Sequence, residues 1–210
     1  MVLLWDHDGV LVDTEGLYMQ ATQEVLATVG VRLDEAQYRE LFLRQGTGAW
    51  HLAQGKSAHE LSALKQRRND RYTELLTRGD TYIPGALAMI AELAPHHRMA
   101  IVTSSRRAHF DAIHAGRALP GYFELILARE DYIESKPDPE PYLTAVARLG
   151  VAPPDCLVIE DSERGLRAAH AAGLRCWVIP SSLTRASDFT HAERRFDSID
   201  ALHRALRAST

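Results

Sequence analysis

The fold of this chain of 210 residues is decided near its start, by the sequence LLWDHDGVLVD at residues 3–13. The apolar run at residues 2–5 predicts a strand that is buried on both faces, as the strands of a parallel sheet are. Two carboxylates, Asp6 and Asp8, follow this strand, and Gly9 then allows a sharp turn. Ligands bind beyond the carboxyl ends of parallel strands, and alternate residues of an extended chain point the same way. We therefore expect both aspartates to face one cleft.

The pair formed by Asp6 and Asp8 indicates chemistry more than a simple turn. Two close carboxylates repel each other, so the pair favours a hard cation or a division of roles into one base and one acid. The pattern Asp-x-Asp-Gly is also an ordinary turn sequence. Apolar residues return at once from Val10 to Val12, however, and this is unusual for a turn exposed to solvent. The functional interpretation is therefore favoured.

The composition is that of an average soluble globular protein, with 46% apolar residues, 25% charged residues and a net charge of −4. No long block of one charge sign is present, so neither a nucleic acid nor an anionic membrane is an expected partner. Two cysteines, Cys156 and Cys176, are too few for a disulfide framework, and both begin apolar runs. We expect two buried, reduced thiols.

We expect a cytoplasmic protein. The apolar run at the N-terminus is interrupted by Asp6, which is too early for a signal peptide. No apolar segment is long enough to span a bilayer. No feature of the sequence indicates an oligomeric state.

The sequence divides into a helical segment and a segment in which strands and helices alternate. Apolar residues recur at helical spacing in the first segment, and Ser57 with Glu60 has the pattern of a capping box that opens a long helix. From Pro84 onward, short apolar strands alternate with helices. We predict these later strands at residues 99–102, 125–127, 156–159 and 176–179.

This alternation predicts an α/β fold in which helices cover both faces of a parallel sheet. A crossover between neighbouring parallel strands needs only one helix, so the longer helical segment is best explained as a domain inserted between the first two strands. We expect a core of residues 1–14 and 82–210. The inserted helical cap (residues 15–81) should lie above the carboxyl ends of the strands.

Polar residues of complementary types follow two later strands. Thr103 and Ser104 follow the second strand, and Glu160 and Asp161 follow a later one. Carboxylates from two strand ends suit Mg²⁺, and hydroxyls with backbone amides suit a phosphate oxygen, whose charge Lys136 could neutralise. Taken singly, the polar residues that follow these strands are also typical of helix caps, and Lys136 is typical of a lysine on the surface. Their joint occurrence favours a phosphate and metal site.

These residues lie in segments that resemble the four ordered motifs of the haloacid dehalogenase superfamily. The matching segments are residues 6–13, 103–104, 135–139 and 160–162. The resemblance extends over nearly the whole chain, and its helical insert is similar to that of the β-phosphoglucomutase-like and small-phosphatase branch. It implies a Rossmann-like core that carries a helical cap.

The resemblance also implies a role for each site residue. Asp6 would be the nucleophile that forms an aspartyl-phosphate, and Asp8 would be the acid that protonates the leaving oxygen and then the base that activates water. Elementary chemistry agrees, because a carboxylate attacks an anionic phosphate only when a cation such as Mg²⁺ or Lys136 cancels the charge. The implied phosphate ligands are Thr103, Ser104 and Lys136. The implied Mg²⁺ ligands are Asp6, the backbone carbonyl of Asp8, Glu160 and Asp161.

Three hypotheses about function follow. The first is a Mg²⁺-dependent phosphatase that hydrolyses a small phosphorylated metabolite, a sugar or polyol phosphate. The second is a sugar-phosphate mutase of the β-phosphoglucomutase type, and the third is a binding or regulatory protein without turnover. The complete set Asp6, Asp8, Lys136 and Asp161 argues against the third.

A mutase needs cations in its cap to hold a second phosphate. The β-phosphoglucomutases place a lysine just before the cap glycine and an arginine soon after it, whereas Gln45 and Ala49 stand at these points here. Arg44 is adjacent, but one step along a helix turns a side chain by roughly 100°. We therefore expect hydrolysis of monophosphates.

The remaining polar candidates have ordinary explanations. His7, between the two aspartates, should point away from the cleft and form a packed, hydrogen-bonded side chain. Trp50 and His51 could meet the substrate or be core or surface residues. The basic cluster at residues 65–71 is interpreted as a helix face exposed to solvent.

Overall fold

A six-stranded sheet, in which each strand is parallel to its neighbours, forms the centre of the computed structural model, which describes residues 1–209. The strands are β1 (Val2–Trp5), β2 (Arg98–Val102), β3 (Leu125–Leu127), β4 (Cys156–Glu160), β5 (Arg175–Val178) and β6 (Arg194–Arg195). Their order across the sheet is β3-β2-β1-β4-β5-β6. In this order β1 lies between β2 and β4, and Trp5 is level with Ile101 and Ile159. The carboxyl ends of these three strands therefore lie side by side, at the same end of the sheet.

Helices connect the strands. The α-helices within residues 1–209 are α1 (Glu15–Ala27), α2 (Glu35–Tyr38), α3 (Ala58–Leu76), α4 (Ala86–Leu93), α5 (Arg107–His114), α6 (Glu140–Leu149), α7 (Glu163–Ala171) and α8 (Ile199–Arg207). Helix α2 continues as a π-helical turn at Arg39–Arg44. Within the same residues, no helix has both the length and the apolar character that crossing a membrane requires.

The predicted α/β class with a Rossmann-like parallel sheet is confirmed. The four later strands predicted from the sequence agree with β2 to β5 to within one residue at each end. Strand β6 was not predicted, because its two residues, Arg194–Arg195, are exposed and carry no apolar pattern. The capping box of Ser57 and Glu60 is also confirmed, at the start of α3.

The central strands are buried on both faces because helices cover each side of the sheet. Leu3 and Trp5 belong to an apolar cluster with residues of α4, α5 and α8. Leu4, which points the opposite way, belongs to a second cluster with residues of α6 and α7. All four residues of β1 are buried, as the apolar sequence predicted. The strand that carries the two aspartates is thus fixed from both sides.

Helices α1, α2 and α3 lie between β1 and β2 in the chain and form the predicted cap. They enclose an apolar cluster of their own, which includes Leu26 and Tyr38. The two segments that join them to the sheet run side by side, since the backbone N–H of Asp13 donates to the carbonyl of Thr81 at 2.7 Å. The domain boundaries at residues 14 and 82 stay a prediction. The paired segments indicate that the helices enter and leave the core at one place.

Candidate active site

A buried lysine joins the ends of three strands. The Lys136 ammonium donates to the Asp6 carboxylate at 2.8 Å, to the Glu160 carboxylate at 2.7 Å and to the carbonyl of Val102 at 2.8 Å. These three acceptors use its three hydrogens. Burial alone would lower the pKa of Lys136, but the two carboxylates outweigh burial and raise it. The side chain is therefore a fixed positive charge at the ends of β1, β2 and β4.

Three buried carboxylates surround this charge and could hold a metal ion. Oxygens of Asp6, Glu160 and Asp161 all lie within 4.8 Å of one another. Burial, together with the charge of Glu160, raises the pKa of Asp6 to about 7 even though Lys136 opposes the shift. Burial and the same neighbouring carboxylates raise the pKa of Asp161 well above its ordinary value. One ammonium thus leaves negative charge uncompensated, and this oxygen-only donor set fits Mg²⁺.

Glu160 is the carboxylate of this cluster that is most heavily committed to protein contacts. Its Oε1 atom accepts from Lys136 and, at 2.7 Å, from the hydroxyl of Tyr142. Its Oε2 atom accepts from the hydroxyl of Ser162 at 3.0 Å. A side chain at Gly165 would stand 1.9 Å from the Glu160 carboxyl, so only glycine fits there. Direct metal ligation by Glu160 would therefore cost it one of these hydrogen bonds.

Asp161 reaches the cluster from the start of α7. A side chain at Gly9 would stand 2.3 Å from its Oδ2 atom, and Gly9 has a φ of +84°, which also favours glycine. The hydroxyl of Thr184 donates to Oδ2 at 3.3 Å. The tight approach of the loop after β1 thus brings Asp161 beside Asp6, as the sequence predicted.

Asp8 stands apart from the carboxylate cluster and is held by hydroxyls. Thr103 and Ser105 donate to its Oδ2 atom at 3.1 Å and 2.9 Å, and Thr14 donates to its Oδ1 atom. Burial alone would raise the pKa of Asp8, but His7 and these hydrogen bonds outweigh burial and lower it. The carboxylate is therefore ionised and oriented beside the nucleophile candidate, in a position suited to acid–base chemistry.

The two hydroxyls predicted to bind phosphate have different surroundings. Thr103 is fully buried and is engaged with Asp8. The hydroxyl of Ser104 is buried without a hydrogen-bond partner among residues 1–209. A buried hydroxyl without a partner is costly unless a ligand satisfies it. Ser104 is therefore the hydroxyl that the free protein leaves available for an anion.

Two connected cavities lie between the sheet and the cap. The inner one, of about 20 Å³, is lined by the predicted site residues Asp6, Ser104, Lys136 and Asp161, among others. The outer one, of about 400 Å³, shares part of this lining, including Asp8 and Ser104. At Gly46 the cap approaches the site closely, because a side chain there would stand 3.0 Å from the carbonyl of Lys136. The cap thus covers the ends of the strands, as predicted.

One part of the basic cluster in α3 was interpreted wrongly from the sequence. Arg68 is 7% exposed instead of facing solvent, and it lines the outer cavity. Its guanidinium lies 4.2 Å from the ring centre of Tyr18 and donates through Nε to Asn69 at 3.0 Å. Its Nη1 atom is buried without a hydrogen-bond partner among residues 1–209. The expectation that this cluster is a helix face exposed to solvent therefore fails at Arg68.

Other residues of the site also went unnoticed in the sequence. Glu15 and Arg164 line both cavities, and Arg164 has a buried Nε without a hydrogen-bond partner within the described part of the chain. Each lies two residues after a recognised motif, and this proximity was the available signal. Trp50 lines the outer cavity, whereas His51 is exposed.

The prediction for His7 is confirmed. The ring is fully buried, with Nδ1 at 3.2 Å from Asp8 and Nε2 at 2.8 Å from a ring nitrogen of His114.

Comparison with known proteins identifies the family. The sequence profile of the family described as haloacid dehalogenase-like hydrolase matches residues 3–179, so the chain belongs to this family. The chain is 34% identical to protein CbbY of Rhodobacter capsulatus, over 95% of this chain and 93% of the relative. It is 30% identical to fructose-1-phosphate phosphatase YqaB of Escherichia coli, over 82% and 92% of the two chains.

Solved structures agree with this assignment. A mutant of CbbY from Rhodobacter sphaeroides, in complex with xylulose-(1,5)bisphosphate, superimposes with a TM-score of 0.82 at 32% identity and covers 94% of this chain and 93% of that one. A putative β-phosphoglucomutase from Thermotoga maritima has the same fold, with a TM-score of 0.75 at 24% identity, over 100% of this chain and 99% of that one. The chain is thus a hydrolase of the haloacid dehalogenase-like family.

The carboxylate cluster predicts that Mg²⁺ stabilises the protein more at about pH 8 than at about pH 5.5. A carboxyl whose pKa is raised on folding stabilises the folded state at low pH. This stabilisation is lost as the pH rises through the pKa of the folded state, which is about 7 for Asp6. Mg²⁺ must also displace the bound proton. We expect saturating Mg²⁺ to raise the melting temperature by about 5–10 °C at the higher pH and by less at the lower pH.

The matched variant is Asp161→Asn, which keeps the size of the side chain but removes one cluster charge. It should lose most of the Mg²⁺-induced shift. An equal shift at both pH values, or a full shift in Asp161→Asn, would contradict this assignment of the metal site.

Proposed function

We propose that this haloacid dehalogenase-like hydrolase removes the phosphate of a small phosphorylated sugar through a covalent aspartyl-phosphate on Asp6, with Mg²⁺ as cofactor. The observation that carries the proposal is the position of Asp6. Its carboxylate is bound by the buried Lys136 and lies on the inner cavity, next to the unpartnered hydroxyl of Ser104. A nucleophile, a cation and a vacant hydroxyl therefore surround one place that a phosphate can occupy.

The first step would transfer the phosphoryl group. A carboxylate oxygen of Asp6 attacks phosphorus, and the bond between phosphorus and the sugar oxygen breaks with its electron pair on that oxygen. Asp8, which takes up a proton from solvent when the anionic substrate binds, then gives that proton to the leaving oxygen. The anionic phosphate makes this possible, because a negative charge nearby raises the pKa of Asp8 from the low value of the free protein. Bound Mg²⁺ would supply charge neutralisation at the phosphoryl oxygens, held by Asp6, Asp161 and the carbonyl of Asp8.

The second step would return the enzyme to its starting state. Water attacks phosphorus of the aspartyl-phosphate, and the ionised Asp8 accepts a proton from that water. The bond between phosphorus and the Asp6 oxygen breaks, which releases inorganic phosphate and restores the carboxylate. Ser104 would hold a phosphoryl oxygen in both steps. Lys136 would hold another by exchanging its hydrogen bond to Asp6 for one to the phosphoryl group that Asp6 carries. Division into two transfers replaces one difficult step by two easier ones.

The outer cavity supports a sugar as the substrate. It combines aromatic surfaces, at Tyr18 and Trp50, with the free donor atom of Arg68. Most of the other lining residues are polar or charged, among them Asn69 and Ser105, which suits the hydroxyls and the phosphate of a sugar phosphate. The volume of 400 Å³ is enough room for such a molecule. Two relatives support the same class, since one is named a fructose-1-phosphate phosphatase and another binds xylulose-(1,5)bisphosphate.

The mutase alternative is weakened at residues 44–49 of the cap. Arg44, the cation there, is paired with Glu40 at 3.2 Å and with Glu163 at 3.3 Å. Gln45 also donates to Glu40, at 2.7 Å. Arg68 is the observation that favours the alternative, because it offers one donor to a second anionic group. Neither Arg68 nor Arg164, which also lines this cavity, stands at the cap positions where β-phosphoglucomutases carry their pair of cations. Gln45 and Ala49 occupy those positions here, so we infer net hydrolysis.

Replacement of the nucleophile tests the mechanism. Asp6→Asn keeps the size of the side chain but cannot form the aspartyl-phosphate, so phosphate release should fall by roughly 10⁴-fold or more. Asp111→Asn, an exposed aspartate on α5, is the matched control and should keep full activity. The measurement is phosphate release with Mg²⁺ over a panel of sugar phosphates. Undiminished activity in Asp6→Asn would refute the covalent mechanism.

Replacement of the cap arginine tests the assignment of the sugar site. Arg68→Met preserves most of the volume but removes the donor, so the KM for fructose 1-phosphate should rise by about 10–100-fold, as for the loss of a charged hydrogen bond. The KM for p-nitrophenyl phosphate, which lacks sugar hydroxyls, should change little. Arg67→Met, one residue earlier and exposed, is the control. Equal effects on both substrates would show that Arg68 does not select the sugar.

The distinction between phosphatase and mutase has a direct test. Incubation with β-glucose 1-phosphate, Mg²⁺ and a trace of the corresponding bisphosphate should release inorganic phosphate. Catalytic accumulation of glucose 6-phosphate would establish the mutase instead.

A further inference from the structure

A buried chain of hydrogen bonds runs from Asp8 to the segment that joins the cap to the core. His7 Nδ1 lies 3.2 Å from Asp8 Oδ2, and His7 Nε2 lies 2.8 Å from Nε2 of His114. Nδ1 of His114 lies 2.6 Å from the hydroxyl of Tyr82. His7 is fully buried, His114 is 5% exposed and Tyr82 is half-buried. Both ring nitrogens of both histidines are therefore used within one continuous chain.

The donors of this chain have a consistent direction. An ionised carboxylate can only accept, so Nδ1 of His7 carries the proton shared with Asp8. If His7 is neutral, its Nε2 accepts from Nε2–H of His114, and Nδ1 of His114 accepts from the hydroxyl of Tyr82. If His7 is protonated, its Nε2–H donates to His114, and Nδ1–H of His114 donates to Tyr82; in both cases Nδ1 of His7 donates to Asp8. Burial is the main cause that lowers the pKa of His114 to about 3, and the nearby His7 adds to this shift. A neutral His114 ring is consistent with this pKa. Each hydrogen bond thus fixes the tautomer that the next one requires.

Aromatic and ionic contacts hold the chain in place. The ring of Phe110 has its centre 5.0 Å from that of His7 and 4.4 Å from that of His114. At the other end, the guanidinium of Arg117 lies 4.6 Å from the ring centre of Tyr82. Arg117 is itself fixed by Asp80 at 2.8 Å. Phe110 therefore packs against both histidines, and an exposed ion pair packs against Tyr82.

We propose that His7, His114 and Tyr82 are positioning residues for Asp8. Together they hold a donor against Oδ2, which adds to the hydroxyls of Thr103 and Ser105 and fixes the carboxyl where it can meet the leaving oxygen. None of the three residues lines the two cavities of the site, so they act through Asp8 and not on the substrate. The inference rests on the acid–base role of Asp8 in the proposed function.

The hydrogen-bond chain that starts at Asp8 ends at Tyr82, where the cap joins the core. Tyr82 lies between Thr81, whose carbonyl accepts from the N–H of Asp13 at 2.7 Å, and Ile83, which donates to the carbonyl of Leu11 at 3.0 Å. The orientation of the acid–base residue is therefore tied to the paired segments that connect the two parts of the molecule.

The test compares two substrates that differ in their need for an acid. The alkoxide of fructose 1-phosphate is a poor leaving group and needs a proton, whereas p-nitrophenolate leaves without one. The ratio kcat/KM reports the steps up to transfer onto Asp6, so loss of a positioned acid lowers it for fructose 1-phosphate alone. Tyr82→Phe, which removes one oxygen, should lower that value by about 2–10-fold, and His114→Met by about 10–100-fold. Both variants should stay within about twofold of the parent on p-nitrophenyl phosphate.

Matched variants separate this inference from the mechanism on which it rests. Tyr122→Phe changes another half-buried tyrosine, which does not belong to the hydrogen-bond chain. This variant should have the kcat/KM of the parent enzyme on both substrates. Asp8→Asn, like His114→Met, should lower kcat/KM for fructose 1-phosphate and not for p-nitrophenyl phosphate. The loss in Asp8→Asn should be larger than that in His114→Met. His114→Gln, which keeps an amide donor, should recover part of the loss.

The outcomes are distinct. Equal losses on both substrates in Tyr82→Phe and His114→Met, or no loss, would overturn the positioning role if Asp8→Asn remains selective. Equal losses in Asp8→Asn itself would instead overturn its acid role in the proposed function. A parent enzyme that hydrolyses neither substrate would overturn the proposed function as a whole.

Discussion

The site depends on one buried ammonium, that of Lys136, which is shared by the carboxylates of Asp6 and Glu160 and by a strand carbonyl. Burial of charges is costly unless they are paired and fully hydrogen-bonded. Lys136 is 2% exposed, and its three hydrogens all have acceptors, so this condition is met on its side. The negative charges of the carboxylates are not balanced by Lys136, because Asp161 adds a third carboxylate to Asp6 and Glu160. The imbalance that raises the pKa of Asp6 is the reason for which we propose a divalent cation at this cluster.

This constraint explains the division of labour between the two parts of the molecule. The sheet fixes the charges, because β1 is buried on both faces and lies level with β2 and β4. The cap contributes walls of the outer cavity and, with Arg68, the donor that we propose distinguishes one sugar phosphate from another. Asp8 links the two functions, since hydroxyls at the strand ends and the chain through His7 both hold its carboxyl. Chemistry and selection are therefore separable by substitution.

The sequence was sufficient to predict the fold and the residues at the strand ends, because apolar strands, turn glycines and polar strand ends are local patterns. It was not sufficient for residues whose environment is created by distant segments. Arg68 lies in a basic helical cluster, and only the packing of α3 over the site shows that this one side chain is buried. Likewise, no local pattern connects His7 with His114, which is 107 positions away in the chain. Thr103 was predicted as a phosphate ligand, yet its hydroxyl is directed to Asp8 because Asp8 approaches from another strand end.

The central claim is that Asp6 accepts the phosphoryl group while Lys136 and Ser104 hold its oxygens. The most direct measurement is a crystal structure of the protein with Mg²⁺ and beryllium fluoride, a mimic of a phosphoryl group bound to a carboxylate. We expect beryllium bonded to a carboxylate oxygen of Asp6, with its fluorides contacting Lys136 and Ser104 and with Mg²⁺ beside Asp161. Beryllium fluoride bound to another carboxylate, or bound away from the inner cavity, would contradict the account.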